Sequence, residues 1–549
     1  MAAASGNIGE NNTLQHTWDF SDWKRTLTQF FFQLVRKSFD STDMKFVFNR
    51  LLTLAKDNDV IRNYLFRIVM HTRDIKKGKG ERDLFYSLLR EISDNYDLEV
   101  ATKMLKKSCM SDAGSWKDIK YLVYFLDKDT FKGNEFCDIN DAHPLSREAL
   151  RLLAREVQSD YQKYNDDKMN DMTLAARWAP RREKGRFAFV TKLFVPTIHA
   201  SRRYTKSSMK DVRKLLALLN RDLSTPQIDM CRGTWRELDF NKMTSYTLLK
   251  NKLAFQNKTK KGEDRCDVDD RKECASHYLE WLNSKDKKMN VSTIFPYEFV
   301  RDVIQKKLNA DEMKYYNDAW KTQLNDQMEA TKDAQLGIMI PMIDVSGSME
   351  CDNSLPMYNA IALGMRLAEM NTGVFHNKAL TFESTPSWAS YRDDQTFCEK
   401  VHMTQRLGWG GSTNFSDALQ MILLEVISKN IAPLAVRNSS IVVFSDMQMD
   451  QSSNAKWSTV YENMCRMYRD AGMRSIYAQP YDVPHVVFWN MRKTSGFPTI
   501  GNEPGVTMVS GYNASMIEVL LNKGVRALRE MTPWDLIRDM LNNPRFTIE

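Results

Sequence analysis

The sequence predicts a multidomain protein of the α and α/β classes, in which an all-α, helical-repeat-like domain precedes a doubly wound α/β domain. Its 549 residues exceed what one hydrophobic core usually organises. From about Trp18 to Trp320, apolar residues recur at intervals of three and four, as on one face of a helix. After residue 335, short apolar runs alternate with helical stretches, which is typical of a parallel sheet covered on both faces. The predicted segments are a flexible N-terminus (1–20), the all-α domain (21–330) and the α/β domain (335–549).

In the all-α domain, the helical pattern is clearest in five segments that short polar or glycine-containing connectors separate. They are FFFQLVRKSF, FVFNRLLTLA, YLFRIVMHTR, DLFYSLLREI and DVRKLLALLN. The segment DAHPLSREALRLLAREV begins like a capped helix. Because such amphipathic helices bury their apolar faces by packing in pairs, we predict stacked helices, without a fixed sequence period that would define a solenoid.

In the α/β domain, candidate strands and helices alternate along the chain. The predicted strands are GIMIPMIDV, KALTFES, SSIVVFSD, HVVFWNMR and GVTMVS. The predicted helices are MYNAIALGMRLAEMN, FSDALQMILLEVISK, WSTVYENMCRMYRDA, ASMIEVLLNKG and TPWDLIRDML. In an open α/β sheet of this kind, ligands bind beyond the carboxyl ends of the strands.

Composition and charge narrow the class of protein. The sequence contains no run of eighteen apolar residues, so we expect no membrane span. Its N-terminus has no basic region followed by an apolar run, so we expect no signal peptide. The eight cysteines form no C-x2-C pair, which favours reduced thiols and a cytoplasmic location. The first 330 residues carry 59 basic and 48 acidic side chains, against 19 and 22 in the remainder. This excess allows an anionic partner for the all-α domain.

Three polar loops of the α/β domain carry oxygen donors at the predicted strand ends. The first strand runs directly into Asp344, Ser346 and Ser348, the loop GWGGSTNFSD supplies Thr413 before a helix, and the third strand ends in Asp446. Since these loops lie at one edge of a parallel sheet, their side chains should meet there. Carboxylate and hydroxyl ligands without nitrogen or sulfur favour Mg²⁺ or another hard divalent cation.

The same three segments, IDVSGSM, GGSTNF and VVFSDM, resemble the metal-ion-dependent adhesion site of von Willebrand factor type A domains. The resemblance covers roughly the last 215 residues and implies that these five residues hold the metal, directly or through water. It also implies that the metal offers an open position to an acidic side chain of a protein partner.

The N-terminal part carries a second resemblance. The segment RDIKKGKGERDLF is similar to a turn of the TROVE module, the RNA-binding ring of the Ro ribonucleoprotein, which also precedes a von Willebrand type A domain. The segments GSWKDI, AARWAPRREKGRF, VRKLLALL and MCRGTWRELDFNKM resemble an uncharacterised Ro-related family with members in large DNA viruses. This resemblance implies the same order of domains, a helical module followed by a von Willebrand type A domain. Because the family has viral members, a virus particle is the alternative to a cytoplasmic location.

Two basic stretches are candidate RNA-binding surfaces. Residues 177–214 contain twelve basic and two acidic residues, interleaved with aromatic residues that could stack on unpaired bases. The alternative is that these aromatic residues belong to the core and that the charges form a solvated face. The glycine-containing turn at residues 73–82 could cradle phosphate, although an exposed connector has the same composition. The predicted RNA-binding residues are Arg73, Lys76, Lys77, Lys79, Arg82, Arg177, Arg181, Arg182, Lys184, Arg186, Arg202 and Arg203.

No catalytic constellation is apparent in the sequence. The eight histidines lie apart, and no phosphate-binding loop of the G-x-x-x-x-G-K-[ST] type occurs. We therefore predict a non-enzymatic binding protein that recognises a partner through the metal site, with RNA bound by the all-α domain in a ribonucleoprotein-like role. A structural or packaged component of a virus particle is one alternative, and a metal-dependent enzyme is a less favoured one. The oligomeric state stays open.

Overall fold

The computed structural model divides the chain into two compact units, which we call the sheet unit and the helical unit. Residues described by the structure are 6–8, 14–133, 136–199, 204–223, 225–334, 337–382, 386–407, 415–447, 457–494, 496–497 and 506–548. The sheet unit comprises Met1–Ile68, Lys77–Lys79 and Ile294–Thr547. The helical unit comprises Val69–Lys76, Gly80–Thr293 and Ile548–Glu549. This division differs from the predicted boundary at residues 330–335, because residues from both ends of the predicted all-α domain belong to the sheet unit.

The sheet unit contains a six-stranded sheet with one antiparallel edge strand. Its strands are β3 (Ile338–Asp344), β4 (Lys378–Phe382), β5 (Ser387–Ser390), β6 (Ser439–Ser445), β7 (His485–Asn490) and β8 (Val506–Ser510). Their order is β5-β4-β3-β6-β7-β8, and only β5 runs antiparallel to its neighbour. All five predicted strands are present, which confirms the α/β layout. The short β5 was not predicted, because only one of its four residues is buried.

Helices surround this sheet. In the sheet unit they are α1 (Trp23–Gln33), α2 (Thr42–Asp57), most of α3 (Asp59–Arg73), α14 (Pro296–Gln305), α15 (Ala310–Ala330), α16 (Cys351–Met370), α17 (Phe397–Gln405), α18 (Phe415–Ser428), α19 (Pro433–Arg437), α20 (Trp457–Arg474), α21 (Ser515–Glu530) and α22 (Pro533–Leu541). On one face of the sheet, Ile340 and Phe488 pack with Leu419 of α18 and Tyr468 of α20. Ile343 points to the opposite face, because neighbouring side chains of a strand alternate. There Gly364 lets α16 approach so closely that an added Cβ would lie 2.4 Å from Ile343 Cγ1.

Helix α1 belongs to the sheet unit, although the sequence placed it in the all-α domain. Its consecutive residues Phe30, Phe31 and Phe32 are all fully buried. Three neighbouring positions on a helix face different directions, so such burial requires packing on several sides. Phe30 stacks on Phe48 of α2 with ring centroids 5.4 Å apart, whereas Phe32 joins the apolar cluster of the sheet. The helix is therefore enclosed by the sheet unit.

The segment predicted as a flexible N-terminus contains two short strands. The strand β1 (Gly6–Ile8) pairs antiparallel with β2 (Leu14–His16). The backbone groups of His16 and Phe497 exchange two hydrogen bonds of 3.1 Å each. The second strand is thus attached to the sheet unit.

Among the described residues, the regular elements of the helical unit are α-helices and short 3-10 helices, which agrees with the predicted all-α class. Its helices are α4 (Arg82–Asn95), α5 (Leu98–Met110), α6 (Lys117–Asp127), α7 (Pro144–Asn165), α8 (Ala175–Trp178), α9 (Ala188–Ile198), α10 (Lys206–Asp222), α11 (Pro226–Arg232), α12 (Ser245–Phe255) and α13 (Asp269–Asn283). The helices α4 and α5 pack together, as do α6 and α7. The His143 ring caps α7 by accepting a hydrogen bond from the backbone N–H of Leu145, which confirms the predicted start. Across the described ranges, no helix combines the length and apolarity that crossing a bilayer demands.

Candidate metal centre and candidate nucleic-acid surface

The first candidate site lies at the carboxyl end of β3. Asp344 is the last residue of this strand and is fully buried. Its Oδ1 accepts a hydrogen bond of 2.9 Å from the backbone N–H of Ser346, so the chain turns back toward the carboxylate. The Oγ atoms of Ser346 and Ser348 lie 3.2 Å apart. Three of the five predicted ligands therefore sit together.

The neighbouring strand β6 brings the fourth predicted ligand to the same edge. Ile343 of β3 pairs with Phe444 of β6, which ends at Ser445, and the fully buried Asp446 follows directly. The Ser445 hydroxyl donates a hydrogen bond of 2.5 Å to Oδ2 of Asp344, which joins the two strand ends. Thr413, the fifth predicted ligand, lies outside the described residues.

The electrostatics of this edge favour a cation. Burial, and then the negative charge of Asp446, raise the pKa of Asp344 to about 7. Two carboxylates removed from water at adjacent strand ends repel each other, and each loses hydration. A divalent cation between them would offset both effects.

Arg492 is a further residue of this candidate site, and the sequence did not reveal it. It lies two residues beyond β7, and its guanidinium contacts Asp446 Oδ2 through Nε at 3.0 Å and Nη2 at 2.8 Å. It thereby supplies part of the positive charge that Asp446 requires. Its position just after a predicted strand could have indicated it, since β7 also ends at this edge of the sheet.

The oxygen atoms at this edge fit a hard cation, and the positive charge of Arg492 would compete with that cation for Asp446. In the ranges that the structure describes, no three His, Cys, Asp or Glu side chains form a potential metal cluster. The candidate set depends instead on two buried carboxylates and two serine hydroxyls, which suit Mg²⁺ with water completing its octahedron. Asp344, Ser346, Ser348 and Asp446 would hold the ion.

Two residues predicted to bind RNA are corrected by the structure. Lys79 is fully buried, and its Nζ donates hydrogen bonds to the carbonyl oxygens of Phe31 and Leu34 and to the Ser510 hydroxyl. Arg73 is 7% exposed and pairs with Asp118 at 2.7 Å. Both charges are used inside the protein, so neither side chain is available to a surface ligand.

Other members of the turn at residues 73–82 are engaged at the surface. Lys76 pairs with Asp112 at 2.6 Å, and Lys77 pairs with Glu518 at 3.0 Å. These pairs occupy the two exposed lysines of the turn. The turn as a whole is not the exposed connector of the alternative interpretation, because Asp74, Lys79 and Glu81 are buried. Arg202 and Arg203 lie outside the described residues.

The remaining predicted arginines belong to a cationic group in the helical unit, together with two lysines of α6. Arg181, Arg182 and Arg186 are exposed in the segment between α8 and α9. Lys184, in the same segment, is also exposed. We call the group the Lys120 cluster. Its members are Arg82, Lys117, Lys120, Arg177, Arg181, Arg182 and Arg186.

Charge repulsion within the Lys120 cluster is visible at its centre. Burial, followed by the charges of Lys117, Arg181, Arg182 and Arg186, lowers the pKa of Lys120 to about 8. Burial and the charge of Arg181 likewise lower the pKa of Arg177. Cations that lower one another's pKa values form a site that is stabilised by a bound anion.

Aromatic rings hold these cations together. The guanidinium of Arg82 lies 4.3 Å from the ring centroid of Tyr121, and that of Arg186 lies 4.6 Å from the ring of Phe187. Lys120 Nζ lies 5.6 Å from the ring of Trp178. These distances are those of cation–π interactions. The rings of Tyr121, Trp178 and Phe187 therefore contact cations of the protein itself.

Comparison with known proteins gives two matches. A family described as a domain of unknown function, DUF7788, matches residues 339–539. The chain is also 25% identical over 528 residues to Uncharacterized protein L728 of Acanthamoeba polyphaga mimivirus. That match covers 94% of this chain and 85% of the viral protein. The chain is therefore similar to a viral protein over almost its whole length.

Proposed function

We propose that the sheet unit is a von Willebrand factor type A domain that binds a divalent metal and, through it, an acidic group of a protein partner. The observation that supports this most directly is the meeting of Asp344, Ser346, Ser348 and Asp446 at the carboxyl ends of β3 and β6. From β3 the chain goes first to β4 on one side and later to β6 on the other. The site thus lies where the strand order reverses, the usual ligand position in a doubly wound sheet.

Each residue has a distinct part in this proposal. The two aspartates supply negative charge, and the two serines supply neutral oxygen ligands or hold water ligands. When bound, Mg²⁺ would supply an open coordination position for a carboxylate. Arg492 balances Asp446 before the metal binds, and its own charge weakens metal binding by Coulomb repulsion.

Titration calorimetry of the full chain with Mg²⁺ tests the metal site. Asp344→Ala should weaken Mg²⁺ binding at least about tenfold, since even residues that only support ligands cost that much when removed. Arg492→Met should strengthen it by about three- to tenfold, because one positive charge leaves the site. Asp394→Ala, which removes an exposed carboxylate of the same unit, is the matched control. Equal Mg²⁺ binding by all four proteins would refute the metal site.

A labelled hexaglutamate peptide tests whether the metal recognises carboxylates. Binding of this peptide should require Mg²⁺, disappear in EDTA and be absent from Asp344→Ala. Binding that persists in EDTA would instead be direct attraction to basic side chains, and it would contradict the metal-dependent role.

A second candidate function, RNA binding by the helical unit, is favoured by the Lys120 cluster. Such a surface should bind RNA with an affinity that falls steeply with salt, because each neutralised phosphate releases a counterion. Filter binding of one structured and one single-stranded RNA by the full chain, at several salt concentrations, measures this slope. Absence of binding to either RNA at low salt would dismiss the function.

A further inference from the structure

We propose that the Lys120 cluster binds the phosphate backbone of a single-stranded nucleic acid without reading its bases. This inference rests on the proposed RNA-binding function and specifies the chemistry of its site. Three properties of the cluster support it, namely the sign of its charges, the use of its rings and the accessibility of its arginines.

The charges surrounding Lys120 point to an anionic ligand. The charged groups with the largest effect on its pKa are all cations: Lys117, Arg181, Arg182 and Arg186. The nearby carboxylate of Asp118 is 1% exposed and is occupied by Arg73 and the Tyr86 hydroxyl. A ligand with several negative charges would relieve this repulsion, and a phosphodiester chain offers one charge per nucleotide.

The rings of the cluster are already used within the protein. Tyr121 has Arg82 at 4.3 Å and Arg186 at 5.2 Å from its ring centroid, and the Phe187 ring meets it edge to face at 5.0 Å. Lys117 and Arg177 lie 5.4 and 5.5 Å from the Trp178 ring. Base stacking would have to displace these cations from the rings, whereas phosphate contacts leave them in place. The site therefore favours contacts to the backbone over recognition of the base.

The arginines are placed where an extended chain can reach them. Arg181, Arg182 and Arg186 are exposed, while Lys117 and Lys120 are half-buried beside them. Guanidinium groups bind phosphate through paired N–H donors, and the lysines add charge behind them. This gradation from exposed arginine to half-buried lysine suits a polyanion lying across the surface.

Fluorescence anisotropy with labelled oligo-U and oligo-A of twenty nucleotides tests the proposal on the full chain. Both should bind within about threefold of each other, with tripolyphosphate as a competitor. The double variant Lys117→Gln/Lys120→Gln should bind at least about tenfold more weakly at low salt. It should also reduce the slope of log Kd against log salt by about 1.4, which corresponds to two phosphate contacts of a single strand. Because the substitutions remove repulsion, the variant should fold, and its melting temperature checks this.

The matched control is Lys250→Gln/Lys261→Gln, which changes two exposed lysines of the same unit outside the cluster. It should bind as the wild type does. Arg181→Gln/Arg182→Gln changes a second, exposed pair of the cluster and should also weaken binding. A strong preference for one base, with the same slope in Lys117→Gln/Lys120→Gln, would overturn the inference.

The outcomes separate this inference from the function on which it rests. If RNA binds equally well to Lys117→Gln/Lys120→Gln, the cluster is not the site. The protein then binds RNA through another surface. If tripolyphosphate binds and is lost in this variant while neither RNA binds, the cluster is a site for free polyphosphates and RNA binding is excluded. If neither probe binds the wild type, both proposals fail.

Discussion

Replacing Lys79 with methionine should lower the free energy of unfolding of the protein by about 3–5 kcal/mol, the usual cost of breaking a buried charged interaction from one side. The Lys79 ammonium donates to Phe31 O at 2.6 Å, to Leu34 O at 2.8 Å and to Ser510 Oγ at 2.7 Å. Lysine has three N–H donors, so all of them are used. Methionine has nearly the same length but leaves three buried acceptors without this donor.

Urea denaturation followed by tryptophan fluorescence measures the effect. Lys77→Met is the control, because the Lys77 side chain is 55% exposed and its change should stay within about 0.5 kcal/mol. A wild-type midpoint for Lys79→Met would mean that the buried hydrogen bonds contribute no net stability. The Lys79→Met variant should retain the wild-type affinity for oligo-U at low urea, since the Lys79 side chain is buried.

Replacing Asp118 with asparagine should destabilise the helical unit by about 3–5 kcal/mol, because the buried guanidinium of Arg73 loses its counter-charge. Asp118 Oδ2 accepts hydrogen bonds from Arg73 Nε at 2.9 Å and from the Ser115 backbone N–H at 3.0 Å. Its Oδ1 accepts a hydrogen bond of 2.9 Å from the Tyr86 hydroxyl. Asparagine preserves the shape of the side chain and removes its charge.

The double variant Asp118→Asn/Arg73→Met separates the two contributions to this loss. It should recover part of the stability, because no unpaired charge is left in the interior. Asp112→Asn is the control, since it changes an exposed pair with Lys76 that contributes little. Denaturation monitored by circular dichroism at 222 nm measures the free energy of unfolding of the three variants against that of the wild type. A double variant less stable than Asp118→Asn would show that packing of the arginine stem dominates over its charge.

The elements of the sheet could be predicted because their signals are local. The runs around Ile340, Val442 and Val487 are continuous apolar stretches bounded by polar residues, and this pattern needs no knowledge of tertiary contacts. Asp344 and Asp446 could be placed at strand ends for the same reason. The edge where they meet follows from the parallel sheet.

What the sequence could not supply depends on residues far apart in the chain. The composition around Lys79 is that of an exposed turn, and only its contacts with Phe31 and Ser510 show that it is interior. Arg492 lies 46 residues from Asp446, and nothing local marks the pair. The place of α1 beside the sheet depends on Phe32, which packs with strands more than 300 residues later, and helical periodicity carries no information on such a contact.

The enclosure of α1 by the sheet unit has a consequence for how the protein is made. Phe30, Phe31 and Phe32 leave the ribosome long before β7 and β8, against which this helix end packs. At about 5–20 residues per second, the interval until β8 is synthesised is roughly half a minute to a minute and a half. During that time Phe30 can already stack on Phe48 of α2, whereas Phe32 lacks the strands whose apolar cluster it joins. Its early segment should therefore be a substrate for chaperones that shield nascent apolar sequence, until translation of the last strands lets it close.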